Sequence, residues 1–154
     1  MLTNYLATQT DRHFRANPWH GFGLLDSLGK LTEKQWHRPL GHRTVAGLVG
    51  HLIAWRNFAI ARLDDREDFS IELHSASDWP DCSRLKSKEL LQQLEDSQTA
   101  FLARLEKLPE AELHVHFPAG YAYSKGDLAL GVMQHDIYHT GQINLLISLL
   151  NDQR

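Results

Sequence analysis

The sequence predicts an all-α fold, a four-helix bundle with a long connection between its second and third helices. Apolar residues recur at three- and four-residue steps in long runs, and polar or Gly- and Pro-containing segments separate these runs. No repeat, low-complexity segment or linker interrupts the 154 residues. A chain of this length fits one domain of ordinary size, so residues 1–154 are predicted to form a single helical domain.

The first predicted bundle helix follows Asn17-Pro18, a plausible cap and first-turn proline, and ends near Gly29. Its apolar side consists of Phe22, Leu25, Leu28 and Leu31. A short additional helix is predicted over residues 3–15. Residues 32–36, TEKQW, carry the capping-box spacing Thr-x-x-Gln and predict one more short turn of helix.

The second bundle helix is predicted from the N-cap Thr44 to about Leu63. Residues 64–83 are acidic and rich in turn formers, which indicates an extended connection. Because long loops are often functional, we expect this one to cover one end of the bundle, with Trp79 as its anchor. The third helix is predicted from about Arg84 to Leu108, where leucines recur at helical spacing.

The segment 112–118, ELHVHFP, alternates between polar and apolar residues and predicts a short strand or an extended loop. The fourth bundle helix is predicted to begin after Ser124, because Asp127 completes a Ser-x-x-Asp cap, and to continue to about Leu150. Four amphipathic helices of this kind bury their apolar sides against one another.

Charge and composition indicate neither a nucleic-acid partner nor a membrane partner. The formal net charge is -3, and the 16 Lys and Arg residues form no basic stripe. No apolar run reaches the roughly 18 residues that span a bilayer. The single cysteine, Cys82, has no internal disulfide partner and is compatible with a reducing compartment. We therefore expect an unprocessed cytoplasmic protein.

Three histidines on two predicted helices indicate a metal site. His135 and His139 are separated by one helical turn within the apolar stripe of the last helix, a spacing that lets two ring nitrogens meet one ion. His51 lies among small and apolar neighbours on the inward side of the second helix. An unpaired buried imidazole costs on the order of a few kcal/mol, so one shared ion would account for all three.

The HxxxH spacing alone is more typical of surface or hydrogen-bonded histidines, since Asp136 stands where the HExxH motif of metalloproteases has glutamate. Because buried polar groups need partners, the inward position of His51 favours a three-histidine metal site. The other seven histidines are interpreted as incidental, although His114 and His116 fall on one side of the possible strand. Candidates for orienting a ligand or a bound water are Gln142, Asp136, Tyr138 and Tyr121.

Two glycines stand one helical turn before a candidate ligand, Gly47 before His51 and Gly131 before His135. Glycine within a helix costs roughly 1 kcal/mol relative to alanine. The pair indicates either space kept clear beside the imidazole rings or close packing between helices.

The segments GHLIAWRNFAIARL and HDIYHTGQINLL resemble the DinB-like superfamily, and weaker similarity extends over nearly the whole chain. The resemblance implies a four-helix bundle of the DinB-like type in which His51, His135 and His139 bind a divalent metal ion, often zinc or nickel. It also implies a homodimer.

Relatives in this superfamily include thiol-dependent S-transferases and hydrolases. We therefore expect a metal-dependent enzyme whose three neutral imidazoles leave coordination positions open, acting on a small-molecule substrate with a low-molecular-weight thiol. A metal-dependent hydrolase is the alternative. A non-catalytic, metal-stabilised dimeric binding module and a protein without metal remain as hypotheses of other classes. The sequence identifies no catalytic residue.

Overall fold

A computed structural model describes residues 2–16, 18–118 and 122–152. Within these residues the chain forms six α-helices and one short 3-10 helix. The α-helices are α1 (Leu2–Arg15), α2 (Leu24–Leu28), α3 (Glu33–His37), α4 (Val45–Leu63), α5 (Ser87–Lys107) and α6 (Lys125–Asp152), and the 3-10 helix spans Glu110–His114.

Helices α1, α4, α5 and α6 form a four-helix bundle, which confirms the predicted fold class. Both α4 and α1 pack against α5 and against α6, while the short α2 and α3 lie against α6 and α4 respectively. The described part of the chain contains no β-strand. Two isolated bridges pair Leu40 with Arg43 and His116 with Ser124.

The apolar core forms two clusters along the bundle. One includes Leu48 and Leu94, and the other includes Phe101 and Leu105. Each of these four side chains is at most 1% exposed, and full burial of a Leu or Phe contributes roughly 1.5–3 kcal/mol. On α6, the cluster that includes Phe101 extends to Val132, and the cluster that includes Leu48 begins at Ile143. The polar residues between these positions therefore lie where the two clusters meet.

The bundle helix nearest the N-terminus is α1, so the prediction of a bundle helix following Pro18 is wrong. Residues 18–31 contain only the five-residue α2, because Gly21 has φ 134° and breaks the helical path. Gly23 is held against α1, where an added Cβ would lie 2.4 Å from the carbonyl oxygen of Ala16. The short helix predicted over 3–15 is instead a full member of the bundle, and its Phe14 is completely buried.

The helix starts predicted from the capping residues Thr32, Thr44 and Ser124 are confirmed, unlike the start predicted at Asn17-Pro18. Thr32 and Gln35 form a reciprocal capping box at α3. The hydroxyl of Thr44 accepts a hydrogen bond of 2.9 Å from the backbone N–H of Gly47 at α4. Before α6, the carboxylate of Asp127 accepts hydrogen bonds from the backbone N–H and the hydroxyl of Ser124. Each cap satisfies donors that a helix start leaves without partners.

The long connection between the second and third bundle helices is present and runs from Asp64 to Lys86, between α4 and α5. Its first part is held by the guanidinium of Arg62, which donates a hydrogen bond of 2.6 Å to the carbonyl of Phe69. Its last part packs on α4, where Gly50 makes room for Cys82. A Cβ at Gly50 would lie 2.4 Å from the Cys82 sulfur.

The segment 112–118 is not a strand, contrary to one of the two predicted alternatives. Its first residues complete the 3-10 helix, and only His116 makes an isolated bridge, to Ser124. Alternation over so few residues has no partner strand to pair with, and a lone strand is not stable. His114 and His116 are both exposed.

Helix α6 is the longest element, with 28 residues and a length of about 42 Å. Its inward side carries polar as well as apolar residues, including Asp136, His139 and Thr140. Among the described residues, no helix combines the length and the apolar character needed to cross a bilayer.

Candidate metal centre

The structure brings the three predicted histidines together between α4 and α6. His51 and His139 are buried, with 6% and 5% of their surfaces exposed, and His135 is partly buried. The Nε2 atom of His135 lies 3.1 Å from that of His51 and 3.0 Å from that of His139. We refer to His51, His135 and His139 as the imidazole cluster.

Two of the three rings are oriented by oxygen atoms behind them. The Nδ1–H of His51 lies 2.9 Å from the backbone carbonyl of Asp78 and 3.0 Å from its carboxylate. The Nδ1–H of His139 donates to the side-chain oxygen of Gln142 at 2.7 Å. A proton on Nδ1 leaves the lone pair on Nε2, so both rings present a lone pair to the centre of the cluster.

This donor set fits a divalent cation. If Nε2 of His135 carries a proton, it can donate that proton to only one of its two neighbouring Nε2 atoms. The other neighbour then has a lone pair without a hydrogen-bond donor. Nitrogen ligands about 2.0–2.1 Å from a tetrahedral zinc ion lie about 3.3 Å apart. The separations of 3.0 and 3.1 Å are close to that value. The cluster is therefore compatible with a metal site.

Burial favours the neutral form of two of the three imidazoles, those of His135 and His139. It lowers the pKa of His135 to about 3, and the neighbouring His139 and His51 add to the effect. Burial also lowers the pKa of His139, although the hydrogen bond with Gln142 opposes the shift. Neutral imidazole is the form that binds metal ions, so these rings are in their ligating form near neutral pH.

Asp78 is itself held in place as a carboxylate. Its side chain accepts hydrogen bonds of 2.8 Å from the indole N–H of Trp55 and from the backbone N–H of His74. Burial opposes ionisation, but these hydrogen bonds and the nearby His51 lower the pKa of Asp78. The connection between α4 and α5 thus supplies the group that orients His51.

Trp79 anchors this connection on the imidazole cluster, in the position expected for it. Its ring stacks on that of His51, with the centroids 3.9 Å apart and the planes at 9°. The guanidinium of Arg43 covers the indole, 3.5 Å from the ring centroid. The three side chains form a stack that closes one side of the cluster.

A cavity of about 560 Å³ opens beside His51 and His135. Its wall is mainly apolar and includes Leu52, Trp55, Phe58, Leu128, Gly131 and Val132. The volume falls within the range of about 300–1,000 Å³ typical of small-molecule sites. A ligand in this cavity would lie against the imidazole cluster.

A family model for the DinB superfamily matches residues 23–143, which include all three histidines. The chain belongs to the DinB superfamily. No curated protein gives a significant match.

A solved structure with the same DinB-superfamily fold is that of the colibactin self-resistance protein ClbS in complex with a double-stranded DNA. The two chains share 19% sequence identity, and the match covers 95% of each, with a TM-score of 0.69. At this level of identity the likeness establishes the fold.

The ClbS complex overturns the expectation that this chain has no nucleic-acid partner. That expectation is wrong because it relied on the net charge and on the spread of Lys and Arg along the sequence, neither of which gives their positions on the folded surface. A phosphate backbone is bound by a local set of Lys and Arg side chains, and a slightly acidic protein can carry such a set.

Among the candidate orienting residues of this DinB-superfamily chain, Gln142 contacts His139 as described. Asp136 faces away from the cluster and forms a buried ion pair with Arg56. Tyr138 is 63% exposed, with its ring centroid 4.9 Å from that of His139. Tyr121 lies outside the described residues.

No sequence pattern predicts Asp78 or Arg43 as part of the site. Asp78 lies in a connection without periodic pattern, where only the neighbouring Trp79 has a predicted role. His13, one of the seven histidines interpreted as incidental, is 2% exposed, and its Nε2 atom lies 3.2 Å from the hydroxyl oxygen of Thr140. The amphipathic pattern of α1, in which His13 precedes the buried Phe14, is the sequence feature that indicates burial of His13.

The two glycines differ. An added Cβ at Gly131 would meet no atom within 4 Å, and Gly131 lines the cavity. An added Cβ at Gly47 would lie 3.2 Å from the hydroxyl of Thr44, so this glycine accommodates the helix cap. The interpretation of space kept clear near an imidazole therefore applies to Gly131 only.

Proposed function

We propose that this DinB-superfamily protein binds one divalent metal ion, zinc or nickel, through His51, His135 and His139 and uses it in catalysis. The supporting observation is that the three imidazoles come together and that two of them, His51 and His135, line a cavity large enough for a small molecule. Coordination by three side chains leaves room for a further ligand, as in catalytic rather than structural zinc sites.

The proposed reaction forms a bond between the sulfur of a low-molecular-weight thiol and an electrophilic carbon of a small-molecule substrate. The thiol loses its proton, and the new bond replaces either a π bond or the bond to a leaving group of the substrate. A divalent ion in this position supplies a Lewis acid that lowers the pKa of a coordinated thiol or water. Asp78 and Gln142 hold the ligand rings, while Trp79 and the apolar wall limit access of water. A site that limits water favours thiol transfer over hydrolysis, which is the alternative reaction.

Metal analysis of tag-free protein tests the assignment of the ligands. We expect about one metal ion per wild-type chain and a loss of most of it in His51→Ala, His135→Ala and His139→Ala. His114→Ala removes an exposed histidine and serves as the control. Equal metal content in all five proteins would contradict the assignment.

Cobalt-substituted protein distinguishes the candidate functions. A low-molecular-weight thiol that enters the coordination sphere changes the visible spectrum of the cobalt ion, which is the result expected for an S-transferase. A spectrum that responds to pH but not to thiol would favour the hydrolase. A spectrum insensitive to both would favour a non-catalytic module.

A homodimer is part of the proposal, and an exposed apolar stripe on α6 supports it. The stripe covers an arc of about 120° on the helix surface, calculated from 3.6 residues per turn. It consists of Leu130, Ile137, Tyr138, Leu145 and Leu149. Sedimentation velocity should show a dimer that Leu145→Lys weakens; a monomeric wild-type protein would contradict this part of the proposal.

Double-stranded DNA is a second candidate partner, because ClbS has the same fold and is bound to a duplex. Fluorescence anisotropy of a labelled duplex provides the test. Binding through phosphates weakens steeply as the salt concentration rises. A duplex whose anisotropy never changes with added protein would remove this candidate.

A further inference from the structure

The charged groups in the wall of the cavity beside the imidazole cluster are almost all paired within the protein. Asp78 binds Trp55 and His51, and Asp127 caps α6. Asp136 is paired with Arg56. Each carboxylate in the described wall therefore already has a partner.

Arg43 is the exception among the charged side chains described in this wall. It is exposed, its guanidinium lies 3.5 Å from the centroid of Trp79, and no described carboxylate lies within ion-pair distance. Stacking on Trp79 fixes the plane of the guanidinium and leaves its N–H edge available. A guanidinium held in this way is suited to bind a carboxylate or another oxyanion through two hydrogen bonds.

The rest of the cavity favours an apolar molecule. Leu52, Phe58, Leu128 and Val132 contribute apolar surface, and Gly131 adds open space one helical turn before His135. A Cβ added at position 131 would meet no protein atom within 4 Å. The absence of a side chain at this position therefore leaves room in the cavity for a larger ligand.

We propose that the cavity binds an apolar organic acid, with Arg43 holding the anionic group, the apolar wall holding the body, and Gly131 leaving the space that the body occupies. This inference names the substrate class of the proposed metal-dependent reaction and rests on that proposal. It places the body of the acid against His51 and His135, which both line the cavity.

Two probes with the same aromatic body test the role of Arg43. 8-Anilinonaphthalene-1-sulfonate carries an anionic group, and N-phenyl-1-naphthylamine lacks it. We expect Arg43→Gln to lower the affinity for the sulfonate probe by about tenfold or more, the effect of losing a charge-assisted hydrogen bond, and to leave the affinity for the neutral probe unchanged. Arg12→Gln, which removes an exposed arginine of α1, is the matched control.

Substitution of Gly131 tests whether both probes occupy the cavity. We expect Gly131→Leu to abolish the binding of both, and Gly131→Ala, which favours the helix, to weaken both less. Circular dichroism of each variant checks that it is folded. Unchanged binding in Gly131→Leu would place the probes elsewhere and overturn the proposal.

The experiments distinguish a failure of the proposed anion site at Arg43 from a failure of the proposed metal site. A ratio of the two affinities that is the same in Arg43→Gln and Arg12→Gln would overturn the role of Arg43. So would a preference for the sulfonate that disappears when a chelator removes the metal while Arg43 is intact, because the ion would then hold the anion. If the preference depends on Arg43 but metal analysis shows no ion, the metal proposal fails and the assignment of the anion site stands.

Discussion

Two polar clusters are buried side by side on α6, and they differ in what they contain. The imidazole cluster includes His135 and His139 of this helix. The residue that follows His135 is Asp136, which forms with Arg56 what we term the ion-pair cluster, and both of its members are 1% exposed. The same helix thus places histidines beside another histidine in one cluster and a carboxylate beside an arginine in the other.

The ion-pair cluster already contains its cation. The guanidinium of Arg56 binds the carboxylate of Asp136 and also donates to the hydroxyl of Ser97 at 3.3 Å. The imidazole cluster contains only ring nitrogens as potential ligands, and its Nε2 atoms lie next to one another without a described cationic side chain between them. The comparison teaches that a buried polar cluster indicates a ligand only when the protein itself supplies no group of complementary charge or hydrogen-bonding capacity.

The largest effect should come from breaking the ion-pair cluster. Arg56→Met leaves Asp136 buried without a partner, and we expect it to lower the free energy of unfolding by about 3–5 kcal/mol in urea titrations. The double variant Arg56→Met/Asp136→Leu removes both charges and should lose much less. A double variant as unstable as the single one would show that the two clusters do not differ as described.

A smaller effect should follow from loosening the imidazole cluster without removing a ligand. Gln142→Leu deprives the Nδ1–H of His139 of its acceptor, and losing such a partner lowers metal affinity by about 10–100-fold. Competition with a chromophoric chelator measures this affinity.

Gln134→Leu is the matched control for this experiment, because Gln134 is an exposed glutamine of the same helix. Its metal affinity should equal that of the wild type. Equal losses in the two variants would mean that the hydrogen bond to His139 has no part in binding. Asp78→Asn provides a second measurement at His51, where the carboxylate and the backbone carbonyl share the contact.

A third effect concerns the pH dependence of stability and His13, a buried histidine that packs against Thr140 of α6. Burial lowers its pKa from 6.5 to about 4, and the neighbouring His20 adds to the shift. Between these pH values the unfolded chain binds a proton that the folded protein does not, so stability falls as the pH drops from 6.5 towards 4.

His13→Gln removes this titration and should flatten the dependence of unfolding free energy on pH in that interval, measured by urea unfolding of metal-free protein. His114→Gln, an exposed histidine, should keep the wild-type slope. A slope that His13→Gln leaves unchanged would contradict the lowered pKa of His13.

The sequence predicted those parts of the site that regular helices carry. His51 and the pair on α6 could be placed because helical spacing determines which side of a helix a residue occupies. Capping residues located the starts of α3, α4 and α6 for a similarly local reason. The bundle and the three histidines therefore followed from patterns within short segments.

Features that depend on tertiary contacts could not be predicted in the same way. Two segments near the N-terminus had helical patterns, and burial of Phe14 together with the backbone of Gly21 decided between them. Asp78 and Arg43 reach the site from irregular segments, whose positions no periodicity determines. The net charge could not predict nucleic-acid partners because it does not say where Lys and Arg side chains lie on the folded surface.

X-ray absorption spectroscopy of protein loaded with one equivalent of zinc tests the central claim most directly. We expect three imidazole nitrogens at about 2.0–2.1 Å from the ion in the wild type and fewer per zinc ion in His135→Ala. The same number of imidazoles in both proteins, or a sulfur ligand at about 2.3 Å, would contradict a centre built from His51, His135 and His139.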